Sequence, residues 1–135
     1  MKLPGPRETL AGCVWLPRIL AKARGLMRGD LPPDYQARFG SPTGVDGIFM
    51  AHFHLTRDDI LVAAARPDAE VAAWFSSHTN PTQIAEWNRI ALNLGRSGFP
   101  MAERFSLALS TTYRHVDPRG KTTVFEILEA DEKNV

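Results

Sequence analysis

Apolar positions recur at helical spacing along most of this chain. From Pro17 to Arg28, Trp15, Leu16, Ile19, Leu20, Ala23, Leu26 and Met27 fall on one side, and Arg18, Lys22, Arg24 and Arg28 fall on the other. That pattern predicts an amphipathic helix with a basic outer face, opened by Pro17 and closed by Gly29-Asp30. Val45, Ile48, Phe49, His52 and Phe53 follow the same period and predict a second helix. Thr56-Arg57-Asp58-Asp59 is a capping-box variant opening a third, with Ile60, Leu61, Ala64 and Ala65 inward. Arg66-Pro67-Asp68 breaks it. A helix from Asp68 to Ser77 then buries Val71, Trp74 and Phe75. Asn80-Pro81-Thr82-Gln83 reads as N-cap, first-position proline and a glutamine reaching back. The helix behind it buries Ile84, Trp87, Ile90, Ala91 and Leu94 and stops at Gly95. Met101 to His115 predicts a further helix on Phe105, Ala108, Leu109 and Thr112. Thr122 to Ala130 reads as helix in preference to strand.

The segments between these helices carry turn chemistry. Residues 1–8 form an irregular arm because of Pro4, Gly5 and Pro6. Thr9 is placed to cap a short turn through Val14. Residues 29–44 hold two Pro/Gly clusters and read as a long connection anchored by Tyr35 and Phe39. Residues 131–135 are expected to fray. The fold class expected is all-α: a compact single domain, residues 1–135, of five to seven short helices with Pro/Gly-rich loops.

Composition narrows the function classes. The 135 residues are 44% hydrophobic, enough for one packed core, with a formal net charge of +1. A polyanion-coating protein carries a far larger basic excess, so nucleic acid is disfavoured as a partner. The longest apolar run is six residues, Ile60 to Ala65, where a membrane span needs about twenty. Met1-Lys2-Leu3 runs at once into Pro4-Gly5-Pro6, so no apolar leader is expected. One cysteine, Cys13, excludes an intrachain disulfide. A cytoplasmic protein, off the membrane, is the expectation.

Pro6-Arg7-Glu8-Thr9-Leu10, Leu16-Pro17-Arg18 opening a helix with Lys22-Ala23-Arg24, and Asp46-Gly47 before an aromatic helix form an ordered set. Ile84-Ala85-Glu86-Trp87-Asn88 and the Thr-rich approach to Phe125-Glu126-Ile127-Leu128 complete it. In order and spacing the chain resembles, over nearly its whole length, a bacterial family of short proteins: the domain of unknown function numbered five thousand and sixty-nine. The resemblance implies a small helical intracellular protein and brings no catalytic or binding residues with it.

Among the chemistry-bearing residues, His52-Phe53-His54 invites a metal reading. On a helix, however, residues two apart point to opposite sides, so His52 falls inward and His54 outward. His78 and His115 sit near helix ends, which favour histidine. No cysteine pair, His-Glu-x-x-His motif, nucleophile elbow or phosphate loop occurs. No metal or cofactor is expected. Charge is asymmetric: residues 1–28 hold six bases and one acid, and residues 122–135 hold four acids and one base, Lys133. The reading favoured is a non-enzymatic binding or interaction protein. Its contact surface is Arg18, Lys22, Arg24 and Arg28, or the 29–44 segment. Two alternatives stand beside it. One is a metal-dependent or small-molecule enzyme with a histidine/asparagine-lined site. The other is a helical bundle that binds a small ligand in a pocket drawn from His52, Trp87, Asn88, Tyr35 and Arg38. The partner is a protein or small molecule, and the protein a monomer or homodimer.

Overall fold

Ala11 and Gly12 both take positive φ, 54° and 75°, as a two-residue hairpin turn requires. They join Thr9–Leu10 (β1) to Cys13–Val14 (β2) in an antiparallel pair with Thr9 opposite Val14 and Leu10 opposite Cys13. The helical turn expected from Thr9 is thus corrected to a ribbon. The protein is seen here in a computed structural model describing residues 2–132; Met1 and residues 133–135, with Lys133, lie outside the described residues.

The rest is mostly helical. Among the described residues eight helices follow the ribbon: α1 (Leu16–Arg28), α2 (Pro33–Arg38), α3 (Val45–Phe53), α4 (Arg57–Ala64), α5 (Asp68–His78), α6 (Pro81–Leu92), α7 (Ala102–Ser110) and α8 (Val124–Glu132). The count exceeds five to seven because α2 forms inside the 29–44 segment. Pro33 opens it and Asp34 lies in its first turn, both favourable at a helix start.

Two compact units make up the chain, Met1–Trp87 and Asn88–Val135. In the first, α1 packs chiefly on α4. Phe49 and Phe53 of α3, Phe75 of α5 and Trp87 of α6 form an aromatic core with ring centroids 5.0–6.2 Å apart. Trp87 Nε1 donates to Val14 O at 2.9 Å and so ties α6 to the ribbon. The predicted capping box is present: Asp59 N donates to Thr56 Oγ1 at 3.1 Å, and Thr56 N to Asp59 Oδ2 at 2.8 Å. Asn80 caps α6 through Gln83 N (2.8 Å), but the Gln83 amide reaches His52 O at 3.3 Å rather than its own cap.

In the second unit Leu94, Val116, Phe125, Ile127 and Leu128 are buried. Val124 N donates to Leu94 O at 2.8 Å. Thr123 and Glu126 cap α8 reciprocally: Glu126 Oε1 takes the N–H groups of Thr122 and Thr123, each at 3.1 Å, and Glu126 N returns to Thr123 Oγ1 at 3.3 Å. The C-terminal helix expectation holds, and Asp131 and Glu132 continue it. α7 ends at Ser110, short of the expected His115. Ser110 and Thr111 hydroxyls donate back to Leu107 O at 3.1 and 2.6 Å, which competes with the next turn. Met27, Ala65 and Thr112 are exposed where periodicity put them inward, and Trp74 is half-buried.

Candidate functional site

A densely bonded polar cluster of the first unit grows from residues that are almost fully covered. Asp46, one residue inside α3, is 1% exposed, and Lys22 and Arg18 on α1 are 4% and 2% exposed. Lys22 Nζ lies 3.3 Å from each Asp46 oxygen. Oδ1 also takes the Trp15 indole N–H at 2.8 Å, and Oδ2 takes Gly40 N–H at 3.1 Å. Lys22 Nζ and Arg18 Cζ stand 5.0 and 5.3 Å from the centre of the Trp15 ring, within cation–π range. Arg18 Nη1 reaches Pro4 O at 2.9 Å and holds the N-terminal arm.

Local sequence explains how these groups meet. Arg18 and Lys22 stand at i and i+4 on α1 and share a face, and Trp15 precedes that helix as its N-cap. Trp15 itself takes φ 76°, a left-handed conformation rare for a bulky residue. Strain of this kind costs about 1–3 kcal/mol and persists only where the surroundings over-determine it. Asp46 on the indole N–H and two cations against the ring supply that constraint. Gly47 makes the approach of the 41–42 turn feasible. A Cβ there would sit 2.5 Å from Pro42 Cα and would also strike Ser41 O.

Burial pushes the Lys22 ammonium below the ordinary lysine range. Asp46 opposes that fall, and the positive charges of Arg18 and Arg38 deepen it. A buried lysine perturbed by desolvation and a named charge partner marks functional sites and structural networks alike. Here its geometric effect is definite: α1, the end of the ribbon and the turn after α2 are drawn onto one carboxylate.

Residues 2–134 match the family described as Domain of unknown function (DUF5069). The chain belongs to this family. No curated protein and no solved structure matches it. For this DUF5069 member the Asp46-Gly47 and Leu16-Pro17-Arg18 motifs now have physical content, since they supply the carboxylate, the close turn and the start of the helix that bears the cations.

The other candidates fall in several places. The basic outer face of α1 is corrected at Arg18 and Lys22, which are buried, while Arg24 is half-buried and Arg28 exposed. Arg18 and Lys22 point into the centre just described. Arg24 spans the end of α4, with Nε on Ala64 O and Nη2 on Arg66 O, each at 3.0 Å, and Nη1 pairs with Asp68 at 2.8 Å. Arg28 is exposed and pairs with Asp30 at 3.1 Å. His52 and Trp87 do come together, ring centroids 5.8 Å apart, with His52 Nε2 3.0 Å from Gln83 O. His78 Nε2 meets Phe53 O at 3.0 Å, and His54 is exposed. Tyr35 and Arg38 lie on α2, half-buried and exposed, and Asn88 is half-buried on α6. His115 pairs with Asp131 in the second unit. Among the described residues no three His, Cys, Asp or Glu side chains gather as a metal set, and no helix is long and apolar enough to cross a membrane.

The residue that sequence reasoning missed as a site was Asp46. An acid in the first turn of a helix is ordinary, and what sets Asp46 apart comes from elsewhere in the chain: Trp15, Lys22 and Gly40.

Proposed function

We propose that this protein is a non-enzymatic binding module of the bacterial cytoplasm that works as a single domain and presents segment 31–44 to a protein partner. The observation that carries this reading is the bond from Gly40 N to Asp46, which fastens an exposed helix to a buried ion pair. Leu31 and Phe39 are buried on either side of α2, while Asp34, Gln36, Ala37 and Arg38 are exposed between them. Gln36 Nε2 closes the start of α2 onto Leu31 O at 2.6 Å. A contact segment held in shape before binding loses less conformational freedom on association.

The test is site-specific photocrosslinking in intact cells. Photoreactive residues replace Asp34 and Ala37, with exposed Glu70 of α5 as control. The same protein adduct should form from positions 34 and 37, be absent from position 70, and weaken when Gly47→Ala disturbs the turn. Equal adducts at all three positions, or none at 34 and 37, would overturn the reading. So would a stoichiometric metal or organic ligand in the native mass of the purified protein, which would favour the enzyme or ligand-binding alternative.

A further inference from the structure

Outside that segment, α4 carries an unusual outward face. Asp59, Val62, Ala63 and Arg66 recur at i, i+3, i+4 and i+7, and with Trp74 of α5 they line a shallow groove of about 110 Å³. That is well below the roughly 300 Å³ at which small-molecule pockets begin. Ala63 floors the groove, and Val62 beside it is 62% exposed. Trp74 forms the wall, its ring stacked 5.8 Å from His78. Arg66 continues the face through a tight turn, its N–H on Ala63 O at 3.0 Å. Its backbone carbonyl takes Arg24, while its guanidinium has no hydrogen-bond or ion-pair partner among the described residues.

The order along this face is acid, apolar, small, base, and the acid and base are equidistant from the midpoint between Val62 and Ala63. On a two-fold interface residue i meets j while j meets i. We propose that two copies of this chain pair through the groove, α4 against α4 antiparallel, on an axis between Val62 and Ala63. At 1.5 Å per residue Asp59 lies about 5 Å along the helix from that axis, and Arg66 lies on the other side, in the turn just past the helix end at Ala64. Each Asp59 then stands level with the other copy's Arg66. Thr56 N occupies only Oδ2 of Asp59, and a carboxylate has acceptor capacity beyond one such bond. Val62 meets its own copy across the axis, and Ala63 admits the 8–10 Å approach of packed helices. A parallel pairing would set acid on acid. The contact is built on one helix pair, and the pairing is expected to be reversible and concentration-dependent.

Val62→Cys tests the axis directly. Cys13 is fully buried, so the introduced thiol is the one exposed to oxidant. With a mild oxidant, Val62→Cys should form an interchain disulfide at least about tenfold faster than the exposed control Ser76→Cys. Adding Arg66→Asp should slow it by about tenfold, the effect of roughly 1.4 kcal/mol, and high salt should slow it too. Far-UV circular dichroism checks that the variants are folded. In parallel, the sedimentation coefficient of the unmodified protein should rise with concentration and that of Arg66→Asp should stay flat. Equal rates at positions 62 and 76, indifference to Arg66→Asp, or a flat profile for the unmodified protein would each overturn the proposal.

Discussion

Asp46→Asn is the sharpest probe of the buried centre. The substitution keeps shape and leaves an oxygen for the Trp15 indole. It removes the carboxylate bonded to Lys22 and turns an amide toward the Gly40 N–H. A unit-charge pair at the observed 3.3 Å is worth about 5 kcal/mol at an effective dielectric near 20. Part of that is returned, because Asn is cheaper to bury than a carboxylate. The Lys22 ammonium, however, remains desolvated beside Arg18 and Arg38. Breaking a buried pair from one side costs about 3–5 kcal/mol. For a chain of this size that lowers the melting temperature by roughly 10–20 °C. Lys22→Met should cost less, about 1–3 kcal/mol, since Trp15 and Gly40 still donate to the carboxylate. The double variant should be more stable than the sum of the two losses implies, because neither charge is then stranded. Urea unfolding of the four proteins at neutral pH measures the cycle. A loss under about 1 kcal/mol for Asp46→Asn, or strict additivity in the double variant, would show that the centre is hydrated and holds nothing together.

Other outcomes follow from the same geometry. Gly47→Ala should destabilise by about 1–3 kcal/mol through overpacking against the 41–42 turn, read by thermal melting; an unchanged melt would mean the turn moves aside freely. The folded state depresses the Lys22 pKa, so between that lowered value and the ordinary lysine value of about 10.4 the unfolded chain binds more protons. Stability relative to Lys22→Met should therefore rise with pH on the alkaline side, and a flat or falling difference between pH 8 and pH 10 (about the accessible window) would contradict the burial argument. Burial pushes the Cys13 thiol up to about 12, so a thiol reagent at pH 8 should label it only after unfolding; rapid labelling of the native protein would refute its inertness.

Much of the helical fold was legible because several helices carry their own start or stop chemistry. Thr56 with Asp59, Asn80 with Pro81, and Gly29 are local signals, and each acts where its residues stand. The ribbon was not legible for an equally local reason. Ala11 adopts positive φ without being glycine or asparagine, so the hairpin turn lacks its usual marker. α2 hid because a six-residue helix without a buried position leaves no apolar period to read. The shortfall of α7 came from hydroxyls that fit the helical pattern yet bond back to Leu107.

The site failed to show itself for a different reason. Periodicity tells which residues share a side of a helix, and it says nothing about whether the other side is covered. From Leu16 to Gly25 of α1 the side bearing Arg18 and Lys22 is covered as well, so both carry surface-type side chains in an interior position. Such a placement is stable only if a distant acid arrives, and Asp46 lies 24 positions away. A buried ion pair is a weak source of net stability, because replacing both partners with apolar groups is often neutral or better. What the pair adds is selectivity among packings. Only one register of the 31–46 segment against α1 brings Gly40 N–H, the Trp15 indole and Lys22 onto the same carboxylate. Any slip leaves a charge stranded at a cost of several kcal/mol. The left-handed strain at Trp15 has the same consequence, since it is sustained only in the register where Asp46 holds the indole. The centre therefore fixes the position of α2 more tightly than its few apolar anchors would. That is the physical ground on which the proposed contact surface rests on this segment rather than on Arg18 and Lys22 of α1.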